Sequence, residues 1–125
     1  MAGWPAVQTG TLVVINGPRF STRAESRWHA AAGGDIVGMT GAPEASIARE
    51  MALCYTSLAV VTDHDAGVDT GEGVTHAEVM ATFGQSIDQL RAVVAQVIST
   101  LPAETDDTCS CRHALDGLEL PFELP

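Results

Sequence analysis

The sequence predicts an α/β fold in which short buried strands alternate with amphipathic helices. Three observations predict it: a β-branched apolar run at 11–16, a helix-start signature with a Gly-Gly stop over 22–34, and an apolar stripe of helical spacing over 79–101. Strands covered on both faces read as continuous apolar runs, whereas helices carry a single apolar face. With 125 residues, 46% of them hydrophobic, the chain suits one domain with a useful core, and no apolar run reaches membrane-span length.

The elements follow in order. "TLVVIN" (11–16) lies between Gly10 and Gly17-Pro18 and reads as a buried strand. "STRAESRWHAAAGG" (21–34) reads as a helix, with Thr22 and Glu25 forming a capping box and Gly33-Gly34 ending it. "DIVGM" (35–39) is a second strand. A helix then opens at or near Pro43, a residue favoured in the first turn, with Ile47, Met51 and Cys54 as a buried stripe. "YTSLAVVT" (55–62) reads as a third strand. "AGVDTGEG" (66–73) is a Gly-rich loop long enough to act as a lid. Thr75 with Glu78 makes another capping box, and the helix behind it carries Val79, Phe83, Ile87, Leu90, Val94, Val97, Ile98 and Leu101 until Pro102 stops it. No internal repeat and no domain boundary is evident, so residues 1–125 read as a single domain with a loosely ordered start (1–9) and a C-terminal tail (102–125).

Charge narrows the function. The chain has no Lys, six Arg and sixteen acidic residues, for a formal net charge of −10. Such a surface repels phosphate backbones, which argues against nucleic acid and anionic membranes as partners. "MAGWPAVQTG" has neither the basic region nor the apolar stretch of a leader, so a cytoplasmic location is the expectation. Three cysteines form no even framework. Cys54 reads as a small buried hydrophobe, and the "CSC" pair Cys109 and Cys111 as a reversible disulfide or two plain thiols. His113 alone adds little toward zinc, and no metal site is expected.

"VVTDHDAG" (60–67) leaves an apolar run directly into Asp63 and Asp65. Residues two apart in an extended segment point the same way, so both carboxylates could face one ligand, and their mutual repulsion suggests that something binds them or shares a proton. The alternative is a solvated loop that caps the next element, since Asp favours turns. A strand's carboxyl end is where ligands gather in open α/β sheets.

"GPRFSTRAES" (17–26), "DIVGMTGAPEASIAREMALCY" (35–55) and "VVTDHDAG", in that order and spacing, resemble the C-terminal half of the 5′-methylthioadenosine phosphorylase and purine nucleoside phosphorylase family over about residues 10–101. "CSC" is similar to a CxC pair of some microbial and archaeal members. The resemblance implies part of a mixed β-sheet flanked by helices, in a homotrimer. It also implies a reaction in which inorganic phosphate, with no further cofactor, displaces a purine from C1′ of a nucleoside. By resemblance Asp63 is the catalytic residue that meets purine N7, and Asp65 accepts from a 6-amino group. A carboxyl donating to N7 must hold a proton, which a neighbouring carboxylate and partial burial would favour.

The resemblance places Phe20 as a wall against base and sugar, Ser21 near the base, Val37 in the base pocket and Met39 under the ribose. Thr40 offers a hydroxyl to phosphate just before a helix N-terminus. Val79 and Met80 line the pocket for the 5′ substituent. For the apolar positions, ordinary core packing is the alternative. His76 departs from the small apolar residue of methylthioadenosine enzymes and matches relatives in which a histidine reaches a 5′-hydroxyl. Ser21 and His76 are therefore the specificity positions. Asn16 and His64 also differ from the Glu and Tyr of the methylthioadenosine branch. The family's Gly-rich N-terminal strand-loop, its Arg-His phosphate segment and a second phosphate-binding Thr lie upstream of the matched region. The expectation is thus an enzyme that needs its N-terminal half, the alternative being a noncatalytic fragment that keeps purine binding or oligomerisation only.

Overall fold

The computed structural model of the chain describes residues 6–65, 74–102 and 108–122. The chain divides into two compact units, one of residues 1–40 and 60–84, the other of residues 41–59 and 85–125.

The first unit is built on a strand–helix–strand segment. Strand β1 (Leu12–Val14) and strand β2 (Ile36–Gly38) pair in parallel, with Leu12 opposite Ile36 and Val14 opposite Gly38. A parallel pair needs a crossover, and helix α1 (Arg23–Ala31) supplies it. The sheet's lower end is closed by Asp35, whose Oδ2 accepts from the Thr11 N–H at 2.7 Å. At the start of α1 both halves of the capping box form: Glu25 N–H donates to Thr22 Oγ1, and Thr22 N–H donates to Glu25 Oε2 at 2.7 Å. Arg19 grips the same carboxylate with two hydrogen bonds of 2.7 and 2.9 Å. The Arg19 contact, followed by the two from Thr22, lowers the Glu25 carboxyl to about 2. At the far end, Gly34 N–H donates to His29 O and Gly33 N–H to Ala30 O, with Gly33 at φ +89°. This Schellman pair needs the left-handed backbone that glycine adopts without strain. Gly34 serves packing too, since a Cβ there would stand 2.6 Å from Val13 Cγ2.

Helix α3 (His76–Thr100) begins in this unit, and residues 85–100 belong to the second. Its capping box forms as expected, with Thr75 N–H donating to Glu78 Oε2 at 3.0 Å and Glu78 N–H to Thr75 Oγ1 at 3.3 Å.

The second unit opens with helix α2 (Gly41–Glu50). It starts two residues before Pro43, which sits in the first turn, where backbone N–H groups have no intrahelical partner to lose. Its end is another Schellman turn, Leu53 N–H to Ala48 O and Ala52 N–H to Arg49 O, with Ala52 at φ +53°. Tyr55 Oη donates to Glu44 Oε2 at 2.8 Å. After α3 the tail is a succession of turns, Arg112 N–H to Cys109 O, Ala114 N–H to Cys111 O and Asp116 N–H to His113 O.

Three expectations are corrected. Residues 55–62 form no strand, because a strand exists through its neighbour's hydrogen bonds and among the described residues nothing pairs with them. The stripe on α2 is not buried: Ile47 is 55% exposed, and Ala48 is the one buried hydrophobic residue among those described. Cys54 lies past the end of α2 and is exposed, with its Sγ 3.3 Å from that of Cys109. The stripe on α3 is half-buried at Val79, Ile87 and Leu90 and exposed at Val94, Val97 and Ile98, so its periodicity marks an apolar face without a cover among the described residues. The lid expected at 66–73 and residues 1–5 of the loosely ordered start lie outside the described residues. Among the described residues no helix is long and apolar enough to cross a membrane.

Candidate functional site

All ten residues expected to serve the nucleoside and phosphate fall in the first unit. The acidic pair is the best-defined part. Asp63 and Asp65 do not share one face of an extended strand; they form a turn. Asp65 N–H donates to Asp63 Oδ1 at 2.9 Å, and Asp65 takes a left-handed backbone, φ +34°. An Asp side chain that accepts a backbone N–H two residues on is a common turn device, and here it outweighs extension. The other oxygen of Asp63, Oδ2, accepts from Thr62 Oγ1 at 2.8 Å. Asp65 is tied elsewhere: its Oδ2 accepts from Ser26 Oγ at 2.6 Å, which joins the turn to α1. Both acids are half-buried, while His64 between them is exposed.

An ionised carboxylate has about four lone-pair positions, two on each oxygen. The turn occupies one on each oxygen of Asp63. Counting the described residues, one position on each therefore remains for a ligand, on a group whose orientation is already fixed.

Ser21 is 8% exposed, and among the described residues its Oγ has no hydrogen-bond partner. A buried hydroxyl left unpaired costs about 1–3 kcal/mol, so a partner is owed to it. It stands immediately before Thr22, the N-cap of α1, and the rigid cap fixes its position. Its neighbour Phe20 is 39% exposed. Val37 lies at the centre of β2, opposite Val13. Met39 follows β2 and approaches the backbone so closely that a Cβ on Gly17 would stand 2.7 Å from its Sδ. A side chain at 17 would push the Met39 thioether aside. Thr40 is exposed and directly precedes α2. His76, Val79 and Met80 occupy the first turns of α3, with His76 and Met80 exposed and Val79 half-buried.

Two supporting residues escaped the sequence reading. Thr62 and Ser26 orient the acidic pair, yet Ser26 looks like any helix serine. It is 6% exposed, and the Thr22 carbonyl, 3.1 Å from its Oγ, is the alternative acceptor for its single proton, the back-bond common to helical serines. The only signal that could have found it is its distance to Asp65, 39 residues later.

Residues 2–99 match the sequence profile described as the Phosphorylase superfamily. A purine nucleoside phosphorylase of Streptomyces coelicolor is 53% identical over 122 residues, 98% of this chain and 44% of that protein. An S-methyl-5'-thioadenosine phosphorylase of Mycobacterium tuberculosis is 54% identical over 127 residues, 100% of this chain and 47% of that protein. The chain thus spans less than half the length of these curated relatives. Among solved structures, a methylthioadenosine phosphorylase from Schistosoma mansoni in complex with adenine superposes with a TM-score of 0.72 at 43% identity, over 84% of this chain and 36% of that one. The parallel β1–β2 pair, the capped α1 and the long α3 are accordingly a partial nucleoside-phosphorylase α/β fold, and the chain belongs to the phosphorylase superfamily.

Proposed function

We propose that this chain forms the nucleoside-binding portion of a purine nucleoside phosphorylase of the methylthioadenosine phosphorylase type. The reaction is phosphate-dependent cleavage of the N-glycosidic bond, giving a free purine and a ribose, deoxyribose or methylthioribose 1-phosphate. The observation that carries the reading is the 62–65 turn, which holds two carboxyl groups by hydrogen bonds of 2.6–2.9 Å and anchors them to α1. A purine anion departs poorly. A carboxyl that carries a proton on one of its remaining oxygen positions and donates it to N7 stabilises the charge that develops on the base, while phosphate stabilises the oxocarbenium-like sugar.

In this assignment Asp63 contacts N7 and is the catalytic residue, Asp65 accepts from a 6-amino group, and the orphaned hydroxyl of Ser21 finds its partner on the base. Phe20, Val37 and Met39 surround base and ribose. Thr40, ahead of the α2 N-terminus, faces phosphate, where free N–H groups favour an anion. His76, Val79 and Met80 meet the 5′ substituent. Inorganic phosphate is the co-substrate and no cofactor is needed. We assign the protein to purine salvage in the cytoplasm, as a single-domain subunit of a homotrimer whose remaining phosphate ligands come from an N-terminal half.

The test is a panel of inosine, adenosine and methylthioadenosine, with and without phosphate, assayed for free purine, together with purine binding by the chain. Phosphate-dependent release supports the assignment. Absence of both purine release and purine binding refutes it.

A further inference from the structure

The geometry points to a thiolate metal site in the second unit: Cys54, Cys109 and Cys111 together bind one thiophilic d10 cation, Zn(II) or Cu(I). The three Sγ atoms all lie within 4.8 Å of one another, and the Cys54–Cys109 pair stands 3.3 Å apart. Sulfurs that share a metal through bonds of about 2.3 Å stand about 3.8–4.0 Å from each other, so the observed spacings bracket the required one and shifts of about 1 Å or less complete it. None of the three is disulfide-bonded.

The local backbone assembles this cluster from distant segments. Cys54 follows the Schellman turn at Ala52, a residue held at φ +53° where glycine is the usual occupant. A left-handed non-glycine residue is strained and persists where its surroundings hold it. Cys109 and Cys111 sit at the start of the tail's consecutive turns. A cation at the centre of the three sulfurs favours their thiolate forms, and each thiol that becomes a ligand releases one proton to solvent. Soft sulfur selects Zn(II) and Cu(I) over Mg(II) or Ca(II). Three thiolates satisfy Cu(I) outright, whereas Zn(II) takes a water as its fourth ligand. None of these residues is assigned to the nucleoside.

The test uses the full 125-residue chain, reduced and kept free of oxygen. Zn(II) and Cu(I) are each titrated against a competing chromophoric chelator, with Co(II) as a spectroscopic stand-in and thiol alkylation read by mass spectrometry. The expected result is one equivalent of Zn(II) or Cu(I) per chain, thiolate-to-cobalt charge-transfer bands, and protection of all three cysteines. Each of Cys54→Ser, Cys109→Ser and Cys111→Ser should weaken binding by more than about 100-fold, beyond the 10–100-fold cost of losing a mere supporting partner. Whichever of the two cations is retained identifies the ion. Failure of both to bind, alkylation as fast with metal as without, or full affinity in Cys54→Ser would overturn the proposal. The first two readouts need no variant, so a misfolded mutant does not obscure the outcome.

Discussion

Ser26→Ala removes a contact that joins the acidic turn to α1. The hydroxyl donates to Asp65 Oδ2 at 2.6 Å from a residue only 6% exposed. Hydrogen bonds to charged groups contribute about 1.5–3 kcal/mol. Asp65 is half-buried, so water replaces part of what is lost and the lower end applies. Alanine also improves helix propensity by a few tenths of a kcal/mol, roughly, and leaves almost no cavity. The net loss is then about 1 kcal/mol, which for a urea m-value of about 1–3 kcal/mol/M lowers the unfolding midpoint by roughly 0.3–1 M. The same energy corresponds to about a fivefold loss of affinity. If Asp65 recognises a 6-amino group, that loss falls on adenine and spares hypoxanthine, which lacks the donor. Urea unfolding followed by circular dichroism and calorimetric titration with both bases give the two readouts. An unchanged midpoint together with an unchanged adenine-to-hypoxanthine ratio would show that Ser26 does not position Asp65.

Asp63→Asn should cut phosphorolysis in the complete enzyme by on the order of a hundredfold or more, the usual scale of general-acid catalysis; unchanged turnover removes the residue from the chemistry. His76→Val should shift kcat/KM toward methylthioadenosine and away from adenosine, because a thioether leaves an imidazole without a partner; a preference that does not move places His76 outside the 5′ pocket. The Arg19–Glu25 clamp predicts a pH dependence of known sign. Glu25 is lowered from 4.5 to about 2 in the folded chain, so its contribution is complete above about 4.5 and is lost as pH falls toward 2. Glu25→Gln, which keeps the capping geometry, should flatten the unfolding midpoint between pH 5 and about 2.5, and a profile as steep as the unmutated chain's contradicts the clamp.

How much was legible follows from how local each feature is. The segment from β1 to β2 was readable because its signals are adjacent in sequence: an apolar β-branched run, a Thr22–Glu25 box, and two glycines placed where a Schellman turn needs them. Both capping boxes formed with the predicted partners. Residues 55–62 carry the composition of a strand, yet pairing is supplied by another segment and composition cannot report it. Periodicity likewise located the apolar faces of α2 and α3 but is silent on what covers them. Cys54 looked like core because an isolated cysteine in an apolar run usually is. Its approach to Cys109, 55 residues away, is a property of the tail's turns, which no spacing rule encodes.

The acidic pair shows why two readings of one motif need not compete. A turn-forming aspartate and a ligand-binding aspartate are usually offered as alternatives, and the 62–65 geometry satisfies the first in full. Yet the hydrogen bonds that make the turn consume only about half of the acceptor capacity of Asp63. They also remove the rotational freedom that a ligand would otherwise have to freeze, and a side chain locked by its own supporting bonds presents its remaining lone pairs at no further entropic cost. Asp65 behaves in the same way: Ser26 fixes one oxygen, and among the described residues no hydrogen bond occupies the other. In the proposed assignment the turn is therefore the means by which binding is prepared. Thr62→Val, which keeps the shape and deletes the donor, separates the two: purine affinity should fall although the backbone bond from Asp65 to Asp63 is retained.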